Sequence, residues 1–291
     1  MPREEDPVAG PSRTAVLTAV ARAIHREEPP PWVIDDYLAL DLAGQEGLAL
    51  RERLRAELPR PYLLAFGRWM CVRARFPEDI VERAAASGVG QYVILGAGLD
   101  SFAYRRSDLL GRLRVFEVDH PATQSWKRRR LAELGIAAPA GLVFAPVDLE
   151  RQTLREGLEE AGFDFGQLAV ISWLGVTMYL TLDAIQATLG TMTKCRAGTR
   201  VVLTYNQPPV VLEGLTARIA AAFAGLAAEM GEPFVSRFLP GEIQQLLRGH
   251  GFGDIVDFGP QEARAAYFQG RDDIDIAGAQ RLVAATVAPD R

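Results

Sequence analysis

From Ser12 onward, apolar residues recur at helical spacing: Ala15, Val16, Ala19, Val20 and Ala23 fall on one face, with Ser12 placed to cap the first turn. This helix is predicted to end before Pro29, Pro30 and Pro31. A second helical region runs from Val33 to Glu57, and a third follows Pro61, with Leu63, Leu64, Phe66, Trp69, Met70 and Val72 as its apolar stripe. The residues before Ser12, rich in Pro, Glu and Gly, read as a mobile tail. Residues 1–85 are therefore expected to form a tail and a helical cap without strands.

The pattern then changes period. QYVILGAG, from Gln91 to Gly98, is a short apolar run ending in glycines, as expected of a buried parallel strand feeding a turn. Arg114 to Asp119, Leu142 to Asp148, Leu168 to Trp173 and Arg200 to Tyr205 repeat the theme, each after a helical stretch. Such alternation predicts a doubly wound parallel sheet. After a helix from about Pro240 to His250, FGDIVDFG and RLVAATVAP read as two closing strands with no crossover helix between them. They predict an antiparallel hairpin on the sheet edge, giving seven strands in an α/β domain over residues 86–291, with an insertion near 207–238.

Composition narrows the function. The 291 residues are 48% apolar and 24% charged, as in a globular protein, and the formal charge of −5 disfavours a general nucleic-acid binder. Two cysteines outside any CxxC pair, and histidines only at 25, 120 and 250, support neither a zinc site nor a disulfide framework. The N-terminus lacks the apolar core of a signal peptide, and the stretch Ile219 to Ala228 is bounded by Arg218 and Glu229. Neither membrane insertion nor export is expected, and a cytoplasmic location follows as the expectation.

In an open α/β sheet ligands bind beyond the carboxyl ends of the strands. There, Gly96, Ala97 and Gly98 follow the first strand, where glycine allows a tight turn and a close backbone approach. The third glycine of a dinucleotide fingerprint is replaced by Ser101, and Asp100 puts negative charge where a pyrophosphate would lie. Asp119 ends the second strand about 20 residues after Gly98, the place from which a carboxylate accepts from ribose hydroxyls. Glu117, on the same face, is a candidate to share that role. Asp148 and Leu149 close the third strand, where a carboxyl and a backbone N–H can read an adenine edge. A nucleoside without phosphates fits, and S-adenosyl-L-methionine is the common cofactor of that kind.

Several segments resemble the leucine carboxyl methyltransferase-like branch of class I S-adenosylmethionine-dependent methyltransferases, especially bacterial members, some of which O-methylate polyketides. They are SRTA (Ser12 to Ala15), VRARF (Val72 to Phe76), VILGAGLDSFAYR (Val93 to Arg105), FEVDHPATQSWKRRRL (Phe116 to Leu131), PVDL (Pro146 to Leu149), WLGVTMYL (Trp173 to Leu180) and the run from Phe238 to Arg271. The resemblance implies a Rossmann-like fold. It also implies that Arg73 holds the methionine carboxylate, Gly96, Ala97 and Gly98 pass beside the methionine, Asp119 binds ribose, and Asp148 with Leu149 contacts adenine. Arg13 is then a second carboxylate contact. His120, directly after Asp119, reads as orienting that acid or bordering the adenine, and the Trp173 backbone as lying near the cofactor. One departure stands out: Leu174 occupies the position of an acid in the family's WEGVTMYL-like run. Backbone carbonyls near Gly96 and Trp173 compensate, or cofactor affinity is lower, or the chemistry is altered.

The run Lys127 to Arg130 reads as an exposed helix face, and His250 as a helix-end residue. A hydroxyl acceptor would need a base, for which His25, His120, Tyr179 and Tyr205 are the candidates, Tyr179 and Tyr205 being also candidate substrate contacts. The stretch Gln207 to Arg237, with Pro208, Pro209, Phe223, Met230 and Phe234, reads either as a lid over a small apolar acceptor or as a helix packed on the core. The leading expectation is O-methylation of a carboxyl or hydroxyl group on a small, aromatic or polyketide-like metabolite. Methylation of a protein C-terminal carboxylate, and a cofactor-binding protein with altered chemistry, remain open. A nicotinamide-dependent oxidoreductase shares the glycine turn and strand-two acid, but does not predict Asp100, PVDL or the closing hairpin.

Overall fold

The computed structural model describes residues 12–148, 151–271 and 273–289. Three helices lead: α1 (Arg13–His25), α2 (Ala39–Glu57) and α3 (Arg60–Ala86). Strands and helices then alternate through β1 (Gln91–Leu95), α4 (Phe102–Arg105), β2 (Arg114–Asp119), α5 (Pro121–Glu133), β3 (Leu142–Pro146), α6 (Leu154–Glu160), β4 (Ala169–Trp173), α7 (Leu182–Met192) and β5 (Arg200–Asn206). The chain closes with α8 (Gly214–Glu229), α9 (Pro240–Gly249), β6 (Phe252–Phe258), α10 (Pro260–Tyr267) and β7 (Gln280–Val287).

Local chemistry explains the element boundaries. The Ser12 side chain accepts from Ala15 N at the start of α1, Thr153 and Glu156 form a capping box on α6, and Pro121 opens α5. α2 starts at Ala39, later than the expected Val33, and Gly44 within it takes a φ of 62° that interrupts the helical path.

The seven strands lie in the order β3-β2-β1-β4-β5-β7-β6. The first five run parallel, with Leu95 of β1 in register with Val118 of β2 and Trp173 of β4. β7 is antiparallel to both β5 and β6. The closing pair is thus antiparallel as expected, but α10 intervenes and the last strand is inserted between β5 and β6. An antiparallel partner needs only a return of the chain, and that return can carry a helix as well as a tight turn.

Residues of β1 and β4 are buried throughout, as a sheet covered on both faces requires. Tyr92 and Ile94 point to the side of α1 and α3, packing with Val20, Trp69 and Val72. Val93 and Leu95 point the other way, to Ile185 and Leu189 of α7 and Ile243 of α9. The N-terminal helices are therefore part of the main core.

The basic run on α5 divides. Arg128 and Arg129 are exposed as expected, whereas Lys127 is 1% exposed and turns under the sheet, Nζ lying 2.6 Å from Glu117 Oε2 and donating to Asp100 O. It sits one helical turn after Thr123 on the buried face of α5, so periodicity overrules its charge.

Candidate active site

The turn after β1 is built by glycine geometry. Gly96 has a φ of 70°, and a Cβ there would fall 2.3 Å from Val176 Cγ2; Gly98, with a φ of 49°, faces Ala15 of α1. Gly98 N–H donates to Asp119 Oδ2, and His120 N–H donates to Oδ1 at 2.7 Å. The Asp119 carboxylate therefore joins the turn to the start of α5. Burial pushes its pKa up, against these two backbone hydrogen bonds. Glu117, instead of sharing the role, is buried in the pair with Lys127, and burial raises its pKa to about 7.

Arg73 reaches the site from α3. Its guanidinium is enclosed, Nη1 donates to Gln280 Oε1 at 3.2 Å, and burial followed by repulsion from Arg22 lowers its pKa to about 10. Gly175, with a φ of 72°, leaves room for it: a Cβ would lie 2.7 Å from Nη1. Arg22 of α1 is differently occupied, donating to Asp36 at 2.7 Å and to Leu99 O at 2.8 Å. Ser101 donates to the other Asp36 oxygen at 2.7 Å, which ties the glycine loop to the N-terminal helices.

These groups open on a cavity of about 420 Å³. Gly96, Ala97, Gly98, Asp119 and Arg73 line one part, and Phe66, Met70, Leu174, Met178, Phe223 and Phe234 line an apolar chamber continuous with it. α8 covers the chamber, its Phe223 stacked on Phe66 with ring centroids 3.6 Å apart. Just beyond α8, Glu232 accepts from Ser12 Oγ, Thr14 Oγ1 and Arg13 N, which fastens this segment to the first turn of α1.

Of the residues singled out from sequence, Arg73, Gly96, Ala97, Gly98, Asp119 and Tyr179 line the cavity together. Arg13 is exposed and outside the lining; its neighbours Ser12, Thr14 and Ala15 are in it. His120 is exposed, its ring accepting from Ala122 N as the cap of α5. Asp148, near Arg151 at 3.3 Å, also lies outside the lining, and Leu149 is outside the described residues. The Trp173 side chain turns into the opposite core, because strand alternation puts the end of β4 on that face. Tyr205 is likewise buried there, its hydroxyl donating to Asp257, so it is not a chamber residue. His25 is buried too, spent between Glu28 and the Val33 N–H, and His250 bonds Leu246 O at the end of α9. Asn206, Glu232 and Gln280 went unrecognised; each lines the cavity from a segment without a motif.

Comparison with known proteins matches residues 15–193, more than half of the chain, to the model of the family described as leucine carboxyl methyltransferase. The chain belongs to this family. Over 288 residues it is 29% identical to a Bacillus subtilis (strain 168) protein named "Putative S-adenosyl-L-methionine-dependent methyltransferase YktD", covering 90% of this chain and 93% of that one. A Mycobacterium avium (strain 104) protein of the same description is 37% identical over 182 residues, 62% of this chain and 60% of its own. Among solved structures, a DUF574 family protein from Streptomyces avermitilis superposes with a TM-score of 0.62 at 14% identity, over 96% of this chain and 98% of its own. The CurJ carbon methyltransferase gives 0.53 at 15%, over 96% of this chain and 68% of its own. These likenesses confirm the fold, a Rossmann-like methyltransferase sheet.

Like its relatives, this member of the leucine carboxyl methyltransferase family is an S-adenosylmethionine-dependent methyltransferase, and S-adenosylmethionine is its cofactor. The site suits that molecule. A buried guanidinium with no carboxylate within 4.0 Å among the described residues invites a carboxylate, and the short backbone turn of Gly96, Ala97 and Gly98 lines the same cavity beside it. Among the described residues no helix is long and apolar enough to cross a membrane, and no group of three metal-binding side chains converges.

Proposed function

We propose that this enzyme methylates an oxygen of a small, largely apolar metabolite, and that this oxygen belongs to a carboxylate. The apolar lining continuous with the glycine turn carries the reading, since a pocket of about 420 Å³ walled by Phe66, Phe223 and Phe234 suits a small acceptor better than the C-terminus of a folded protein. In this reading Arg73 receives the methionine carboxylate, Gly96 to Gly98 flank the methionine, Asp119 takes the ribose hydroxyls, and Asp148 with Leu149 reads the adenine; Arg13, exposed and outside the cavity, takes no part. The cofactor supplies an electrophilic methyl group. The protein's part is alignment and exclusion of water, to which Phe66, Phe223 and Phe234 contribute as apolar walls.

The choice of carboxylate rests on the bases. Of His25, His120, Tyr179 and Tyr205, Tyr179 alone lines the cavity, and burial raises its pKa, which keeps it protonated. Glu232 lines it as well, but its carboxylate is engaged by three donors. A carboxylate acceptor needs no base. Asn206, 7% exposed at the end of β5, offers its Nδ2 to an acceptor oxygen.

The test is incubation with S-adenosylmethionine and paired aromatic and aliphatic carboxylic acids, phenols and alcohols, followed by mass spectrometry before and after mild alkali. Alkali-labile methyl esters are expected. Alkali-stable ethers alone, methylated peptide C-termini alone, or cofactor binding without any methylated product would each overturn the proposal.

A further inference from the structure

The enclosed guanidinium of Arg73 meets one neutral carbonyl, Gln280 Oε1, at 3.2 Å. Arginine carries donors only, so Gln280 must turn its oxygen to Arg73 and its Nε2 away. That nitrogen reaches Asn206 Oδ1 at 3.4 Å, and the Nδ2 of Asn206 then bonds no other described residue. The polarity of the whole chain, arginine to glutamine to asparagine, is thus dictated by its arginine end. Its three members come from α3, β7 and β5 and line the same cavity.

We propose that Gln280 is the positioning residue for Arg73, holding the guanidinium fork in place while leaving its charge for the cofactor's carboxylate. This rests on the reading that Arg73 is the carboxylate site. A neutral amide suits the task because one N–H is fixed and four remain for a planar carboxylate. A glutamate at position 280 would pair with Arg73 and neutralise it before any ligand arrived. A leucine there would leave the side chain without its orienting contact. The amide of Gln280 in turn orients Asn206, which couples the cofactor end of the cavity to the acceptor chamber.

The experiment is calorimetric titration of the full chain with two probes, S-adenosylhomocysteine and 5′-methylthioadenosine. The second has the adenine, ribose and sulfur of the first and lacks the amino-acid carboxylate. Gln280→Leu and Gln280→Glu are compared with wild type and with Arg73→Ala. Both Gln280 variants are expected to weaken S-adenosylhomocysteine about tenfold or more, the size of a charged hydrogen bond, and to leave methylthioadenosine unchanged. Equal weakening of the two probes would show a general structural role and overturn the proposal. No weakening in either Gln280 variant, with a selective loss in Arg73→Ala, would also overturn it and leave the carboxylate site standing. If Arg73→Ala weakens neither probe selectively, the carboxylate reading falls and the positioning role with it.

Discussion

Ser101 shows how a single side chain can be read twice. From sequence it marks the absence of a dinucleotide glycine; in the fold its hydroxyl donates to Asp36 and accepts from Arg105 Nε at 2.8 Å, holding the loop against the N-terminal helices. Glu117 was visible as an acid near the ribose position, and only packing assigns it to Lys127. Its pKa, about 7 against an ordinary 4.5, means that the folded state holds a proton that the unfolded chain has released between those values. The contribution of this group to stability is therefore expected to fall as pH rises from about 4.5 to about 7. Thermal melts of wild type and Glu117→Gln across that window check it: the difference in Tm between them should change steadily in favour of the variant with rising pH. A constant difference would show that Glu117 does not titrate there.

At the scale of elements, most of the fold was legible, because helical and strand periodicities are local properties of the chain. β2 occupies the expected residues, Arg114–Asp119, and β1 and β4 end where their glycine-bearing loops begin. α10 escaped notice because its eight residues make a short helix with no periodic stripe of large apolar side chains, only Ala263 being buried. The link between α8 and α1 was equally hidden, since Glu232 sits 220 residues from Ser12 and belongs to no periodic pattern. Glu232→Ala removes acceptors from the cap of α1 and is expected to cost about 1 kcal/mol, in the range of a lost helix cap. Hydrogen exchange should then quicken in residues 13–25 and 214–229, while the amides of β1 and β4 stay protected. Unchanged exchange in both helices would mean that the contact does not hold the two segments together.

For the whole molecule, the site is an assembly of segments far apart in the chain. α1 and α3 supply one wall, the strand ends supply the floor, and the segment around α8 supplies the cover. Phe223→Ala, deleting a ring that is 6% exposed and stacked on Phe66, is expected to destabilise the fold by about 3 kcal/mol. In acceptor screens the same variant should shift kcat/KM toward bulkier acids, with S-adenosylhomocysteine affinity little changed. An unaltered acceptor profile would place the acceptor elsewhere.

The order of strands and helices, the glycine turn, and Asp119 at the tip of β2 are written in short stretches of chain, since each follows from local periodicity or from the backbone freedom of one residue. Which side chains meet is not so written. Arg73 finds Gln280 across 207 positions, Lys127 turns inward, Trp173 and Tyr205 turn away from the chamber, and Glu232 reaches the cap of α1. Those outcomes depend on how the helices and the last strand pack on the sheet, which brings remote donors and acceptors together and gives each its burial and its charge environment.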